Sequence, residues 1–288
     1  MFPVLASLRA TPTNSRKRLN TKFQRISGNI GQFKKWLSAL CPLPIEVTCM
    51  LTTEQIAFFQ EHGYLILQNF IDSEIINGWR EQIWKHFNSS LETQETWPND
   101  YVVQNFSFSP LFGQLPVMQE ITQQLGGGQF AGGGGSPLVK WPNPEEKWAM
   151  PGSGHIDAYG PGGWSPFMLG ATTYLYDVEP NGGAFVFWPG SHHSTHKYFL
   201  QYPEQIDGSF YDIEDWGWHV LSDLSPEGPR EFIGAAGDVV LWHAFLCHTG
   251  SANIRDIPRF GIFARYSHQK REEIKYEIPE NLWKYWAI

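Results

Sequence analysis

The stretch "PGSGHIDAYG" concentrates more potential chemistry than any other, because His155 and Asp157 stand two residues apart amid glycine and proline. On an extended backbone, side chains at i and i+2 leave the same face, with backbones about 6–7 Å apart. An imidazole and a carboxylate so placed can reach one cation. A third ligand is then needed, and the histidines divide by context. His62 and His86 belong to a helical region, and His192, His193 and His196 crowd what reads as a solvated loop after "WPGS". His243 and His248 lie on the strand-like "VVLWHAFLCHTG". Two histidines and one carboxylate on one side of an octahedron leave three positions open and suit Fe(II). Zinc more often takes a fourth protein ligand or keeps a single open site.

On one continuous strand, the five-residue interval puts His243 and His248 on opposite faces, so only one of them joins the pair. His248 stands at the strand end, before a Gly-Ser turn, where an open coordination position can be reached. Eleven residues on, after "GSANIRDIP", Arg259 opens the next strand. A reversal near Asn253 and Ile254, whether hairpin or jelly-roll corner, returns Arg259 to the level of His248. A guanidinium there is a bidentate clamp for a carboxylate. Singly, each of these residues is commonplace; their joint order and spacing carry the metal reading.

The surrounding elements follow from pattern. Thr52 and Gln55 have capping-box spacing and Gly63 stands where the helix would stop, before a strand over 64–70. "DSEIINGWREQIWKHF" aligns Ile76, Trp79, Ile83 and Phe87 on one stripe, and 116–125 repeats the idea with Val117, Ile121 and Leu125. From about residue 137 the texture becomes short apolar runs broken by Gly, Pro and Asn: "FMLGATTYLYDV", "GGAFVFWPG", "GDVVLWHAFLCH" and "PRFGIFARYSH". Helices first and strands afterwards predict an α+β domain with a β-sandwich or barrel. The runs Gly126–Gly128 and Gly132–Gly135 lack a following Lys-Ser/Thr and read as flexible loop, not a phosphate cradle.

Composition bounds the rest. The 288 residues include 13 Trp, 11 Tyr and 20 Phe, and no apolar run approaches the roughly 20 residues of a membrane span. Three scattered cysteines (Cys41, Cys49, Cys247) exclude a disulfide framework and imply a reducing, cytoplasmic setting. Residues 1–50 hold eight Lys/Arg against one acid, which leaves 13 basic against 28 acidic residues in the remainder, a net −15. So acidic a body is no nucleic-acid binder. Residues 1–49 read as a basic extension outside the fold: disordered, a misassigned start before Met50, or a mitochondrial transit segment. Residues 50–288 form one domain, and the terminal "WAI" is not a peroxisomal signal.

Together, "HID", "PNGGAFVFWPGSH", "GDVVLWHAFLCHTGSAN" and Arg259 resemble the phytanoyl-CoA dioxygenase family of iron(II)/2-oxoglutarate oxygenases, over roughly Leu51 to His268. The resemblance implies a double-stranded β-helix, a jelly-roll or cupin-like core of antiparallel strands buttressed by N-terminal helices. It implies Fe(II) on His155, Asp157 and His248, 2-oxoglutarate as cosubstrate with its distal carboxylate on Arg259, and O2; His243 is not a ligand. Two positions depart from the family pattern: Thr249 displaces Ser251 by one place, and Thr172 replaces an aromatic, so Ser251 and Thr172 are the candidates for further cosubstrate contacts. Asp157, where halogenating relatives have a small residue, implies hydroxylation or a related C–H oxidation of a small molecule. Tyr159, Trp164 and Trp218, the last beside Trp216 and His219 in the stretch 197–232, are candidate substrate contacts. Two other classes fit the same residues: a cupin-like metalloenzyme that uses no 2-oxoglutarate, and a non-catalytic jelly-roll binding module.

Overall fold

The computed structural model describes residues 50–157, 168–209, 225 and 227–288. The first element is α1, Thr53–His62, and its ends are those the sequence predicts. Gln55 N–H donates to Thr52 Oγ1 (3.2 Å), Thr52 N–H donates to Gln55 Oε1 (2.8 Å), and Gly63 terminates the helix at φ 76°. Strand β1, Tyr64–Leu67, ends earlier than the predicted 64–70. The chain leaves the sheet at Asn69, which takes φ 49° and donates its N–H to Asp238 Oδ1 at 2.7 Å. Helices α2 (Ser73–Phe87) and α3 (Pro116–Gly126) bury most of the expected stripes: Ile76, Trp79 and Ile83 on one, Ile121 and Leu125 on the other, where Met118 is buried in place of the expected Val117; Val117 and Phe87 are only partly buried.

Eight antiparallel strands make two sheets. β1, β2 (Phe130–Lys140), β3 (Leu169–Tyr174), β6 (Val239–His243) and β8 (Arg259–His268) form the larger, in the order β1-β6-β3-β8-β2. β4 (Phe185–Phe187), β5 (Arg230–Phe232) and β7 (His248–Gly250) form the smaller, in the order β5-β4-β7. Strand alternation divides the larger sheet's side chains. Leu65, Leu67, Val239, Leu241, Phe260, Ile262 and Ala264 pack against the helices with Trp79, Ile83 and Ile121. Tyr64, Val240, Trp242, Tyr174 and Phe263 face Phe185, Phe187 and Phe232 of the smaller sheet. Each such side chain contributes about 1.5–3 kcal/mol on burial, so the sandwich interior and the helical flank are both substantial cores. The result is the α+β double-stranded β-helix expected.

Three sequence readings are corrected. First, "GDVVLWHAFLCH" is two strands, β6 and β7, in different sheets, with residues 244–247 as the corner between them. His248 therefore opens a strand instead of closing one. Second, Gly132–Gly135 lie inside β2, where the register shifts between Gly133 and Ser136. A Cβ at Gly133 would stand 2.7 Å from the Gly113 carbonyl oxygen, so the glycines admit a close backbone approach. Third, His192, His193 and His196 ride on a helix, α4 (Ser191–Gln201), and His192 and His196 are buried beneath residues that include Trp283 and Pro279. Their ring nitrogens are held by carbonyls, His192 Nε2 at 3.0 Å from Gln60 O and His196 Nε2 at 2.7 Å from Pro279 O. A last helix, α5 (Arg271–Ile274), follows β8.

Burial, reinforced by the adjacent His193, pushes the His192 pKa down to about 3. Between the unfolded value of about 6.5 and that level, the unfolded chain takes up a proton the fold refuses, so stability falls by about 1.4 kcal/mol per pH unit. Above pH 6.5 there is no such cost. In chelator, His192→Gln is expected to flatten the acid limb of stability by one proton's slope, measured by urea unfolding at pH 7 and pH 5. An unaltered slope contradicts a neutral, buried ring.

Candidate metal centre

His155 and His248 are brought opposite one another by backbone pairing, an antiparallel bridge at the mouth of the smaller sheet. His155 N–H donates to His248 O at 2.8 Å and His248 N–H to His155 O at 2.7 Å, which sets the ring centroids 4.5 Å apart. Gly154 permits this approach: a Cβ there would lie 2.9 Å from both Cys247 Sγ and the His248 carbonyl oxygen. Asp157 follows in the next turn and returns its Oδ1 to within 3.3 Å of His155 Nε2 and 3.6 Å of His248 Nε2. Donors bonded to one ion at about 2.0–2.2 Å and at right angles stand about 3 Å apart. With all three ligand atoms within 4.8 Å of one another, the set fits a single metal ion.

Tautomers settle which nitrogen is offered. His248 Nδ1 lies 2.9 Å from Leu246 O, an acceptor only, so Nδ1 carries the proton and the Nε2 lone pair faces Asp157 and His155. At His243 the reverse holds: Phe245 N–H donates to Nδ1 at 3.0 Å, the ring stacks on Trp286 with centroids 5.4 Å apart, and it is excluded from the triad. The same bond, with Cys247 N–H donating to Ser191 Oγ at 2.8 Å, fixes the corner that presents His248. Cys247 packs on the far side with Trp188 and Phe199. Trp242 and Phe185 wall the site, their rings 4.5 and 5.1 Å from that of His248. Gly170 makes room for the Trp242 indole, whose volume a Cβ would enter.

Electrostatics favour the ligating forms. Burial, then the neighbouring His248, lowers the pKa of His155 and so favours its neutral ring. Burial alone would raise that of Asp157, but the adjacent imidazoles of His155 and His248 and the charge of Arg265 outweigh it and hold the carboxyl far below its usual range.

Arg259 is 2 % exposed, and no Asp or Glu among the described residues forms an ion pair with it. Its Nε donates to Gly183 O (2.6 Å) and its Nη1 to Leu138 O (3.1 Å). A Cβ at Gly250, two residues beyond His248 on β7, would stand 3.5 Å from Nη2. The guanidinium therefore lies about one strand repeat, roughly 6–7 Å, from the His248 position. A buried, unpaired cation is costly, and an anionic ligand would relieve it. Nearby, the fully buried Tyr174 donates to Phe232 O (3.0 Å) and accepts from Phe185 N (2.8 Å). Its pKa is raised by burial, against the opposing pull of Arg259.

Ser251 and Thr172 also face this interior, each engaged by a neighbour: Ser251 Oγ donates to Glu231 Oε1 (2.9 Å), and Thr172 Oγ1 accepts from Trp242 Nε1 (3.1 Å). Tyr159, Trp164, Trp216, Trp218 and His219 lie outside the described residues. Sequence reasoning missed Arg265, whose Nε donates to Asp157 Oδ2 at 2.6 Å and whose Nη2 donates to the same oxygen. Its even spacing from Arg259 on a strand was the available signal.

Fold and site thus define a double-stranded β-helix protein with a candidate His-x-Asp…His metal triad. The sequence pattern of the family described as phytanoyl-CoA dioxygenase (PhyH) matches residues 149–261, which contain the triad and Arg259. The peroxisomal phytanoyl-CoA dioxygenase of Mus musculus is 25% identical over 224 residues, covering 71% of this chain and 64% of that protein. The chain thus matches less than two thirds of that relative's length. Among solved structures, HygX from Streptomyces hygroscopicus, with nickel and 2-oxoglutarate bound, shares the fold at a TM-score of 0.51 and 16% identity, over 76% of this chain and 88% of that one. The chain is thus similar to the phytanoyl-CoA dioxygenase family over the segment that carries these residues. Among the described residues no helix is long and apolar enough to cross a membrane.

Proposed function

We propose that this protein is a non-haem iron oxygenase that couples oxidative decarboxylation of 2-oxoglutarate to hydroxylation, or a related C–H oxidation, of a small organic molecule. The observation that carries this reading is the convergence of His155, Asp157 and His248 beside a buried arginine with no carboxylate partner of its own. The match of residues 149–261 to the family pattern supports it, as does the 2-oxoglutarate bound in the HygX structure. Fe(II), 2-oxoglutarate and O2, when bound, supply the oxidising chemistry, with succinate and CO2 as coproducts.

The chain's own residues bind and orient. His155 Nε2, His248 Nε2 and Asp157 Oδ1 hold the ion; Arg259 pairs with the distal carboxylate of the cosubstrate; Trp242 and Phe185 exclude water from the ligand face. Ser251 and Thr172 fit secondary roles, the first beside Arg259 and the second by fixing Trp242. Aromatic Tyr159, Trp164 and Trp218 are assigned to the substrate side. The family's named substrate is not carried over, because fold and family do not transfer a substrate. The scattered cysteines support a cytoplasmic setting, or a mitochondrial one if residues 1–49 act as a transit segment.

Anaerobic titration tests the assignment. Fe(II) followed by 2-oxoglutarate is expected to produce the visible charge-transfer band of an iron-chelated 2-oxo acid, with neither component sufficient alone. Metal binding without the band favours a cupin-like metalloenzyme; binding of neither favours a non-catalytic module.

A further inference from the structure

Arg259, Gly261, Phe263 and Arg265 occupy alternate positions of β8 and share its inward face, whereas Phe260, Ile262 and Ala264 pack against the helices. The interior is therefore entered by two arginines of one strand. The first has no carboxylate partner among the described residues, and the second is committed to a residue of the triad. Its contact is unlike an ordinary arginine–carboxylate pair, in which two N–H groups meet two oxygens. Here both Nε and Nη2 of Arg265 donate to one atom, Oδ2 of Asp157. The other oxygen, Oδ1, is turned to the two imidazoles at 3.3 and 3.6 Å. The guanidinium is fixed in place, 5.8 Å from the Trp242 ring centroid and 6.0 Å from that of Phe263. Opposite it, β2 presents Gly133, with no side chain to compete, at the edge of the bulge. A bulge beside a site commonly re-aims the facing side chain.

We propose that Arg265 is a positioning residue for the metal: by occupying Oδ2 it makes Asp157 a one-oxygen ligand. The inference rests on reading His155, Asp157 and His248 as ligands. A carboxylate free to rotate can bind through both oxygens and would take two coordination positions in place of one. With two imidazoles, that leaves two open positions, one fewer than a chelating 2-oxo acid and dioxygen together require. Arg265 thus preserves the vacancy count on which the proposed chemistry depends, without touching the metal, the cosubstrate or the substrate.

The test uses Co(II) and the full chain, reading affinity and visible absorption separately. Arg265→Met is expected to weaken Co(II) binding by about 10–100-fold, the usual loss when a ligand's hydrogen-bond partner is removed, and to alter the Co(II) spectrum as the freed carboxylate binds through both oxygens. Arg265→Lys keeps the charge but cannot place two fixed N–H groups on one oxygen, so it is expected to restore most of the affinity and not the spectrum. Affinity within about twofold of the unaltered chain, with an unchanged spectrum in Arg265→Met, overturns the proposal and leaves an ordinary salt bridge. A wild-type spectrum in Arg265→Lys also overturns it, because charge alone then suffices. Should the Met variant fail to fold, the Lys spectrum decides. Co(II) binding by the unaltered chain without 2-oxoglutarate binding sinks the oxygenase reading while leaving this one standing; no Co(II) binding sinks both.

Discussion

His248→Ala is expected to abolish the iron-dependent visible band and to weaken metal binding by about 10²–10³-fold. The magnitude follows from sharing a site's free energy among its donors: a four-ligand structural zinc site is worth about 10–16 kcal/mol, or roughly 2.5–4 per ligand. Of the three candidate ligands, His248 is the most rigidly presented. Its Nδ1 is tied to Leu246 O, its backbone is paired to His155, and its ring is held between Trp242 and Phe185. Removing it leaves His155 and Asp157 on an otherwise intact turn, too few donors to compete with water. His86→Ala, on the exposed face of α2, is the matched control and should bind metal as the unaltered chain does. Isothermal titration with Fe(II) under argon, alongside near-ultraviolet circular dichroism to confirm folding, checks both variants. Retained affinity in a folded His248→Ala protein would remove that residue from the site.

The candidate ligands could be picked out in the sequence because each sits where local rules are strong. His155 and Asp157 obey the two-residue period of extended backbone, and His248 and Arg259 bracket a turn with unmistakable Gly-Ser and Asn signals. The reasoning that separated His243 from His248 chose the histidine that the structure brings beside His155 and Asp157, but by an incomplete route: a chain crossing between sheets parts them, not the faces of one strand. Nothing in "HAFLCH" marks that crossing, since all four intervening residues are buried and apolar. Helix α4 was illegible for a related reason. "SHHSTHKYFL" has no apolar stripe strong enough to declare a helix, and its buried imidazoles are stabilised by the carbonyls of Gln60 and Pro279, contacts 132 and 83 residues distant in the chain. Glycine misled at 132–135 because its freedom usually marks a loop, whereas in β2 it serves close packing of two backbones. In each case the missing information was tertiary, and the periodicity of one segment does not contain it.

Arg259→Ala is expected to weaken 2-oxoglutarate binding by about 2–5 kcal/mol, some 30- to several-thousand-fold, while Fe(II) still binds. The guanidinium touches none of the triad; its hydrogen bonds go to Gly183 O and Leu138 O, and Gly261 is bare so that the side chain can cross the strand, a Cβ there falling 2.6 Å from Nη1. Truncation therefore has two effects. It removes the partner of the cosubstrate's distal carboxylate, and it leaves the buried Gly183 carbonyl short of a donor, at about 1–3 kcal/mol in fold stability, with a smaller loss at the part-buried Leu138 carbonyl. The two effects separate in a cycle that pairs the mutation with 2-oxobutanoate, which keeps the chelating 2-oxo acid and lacks the distal carboxylate. If Arg259 acts on that carboxylate, the mutation costs 2-oxoglutarate far more than 2-oxobutanoate, and the coupling energy between them measures the pairing itself. If the losses are equal, the damage is to the pocket and the clamp assignment fails. Arg259→Lys sharpens the distinction: it retains the charge and loses the planar fork, so an intermediate loss confined to 2-oxoglutarate is the outcome that a carboxylate clamp demands.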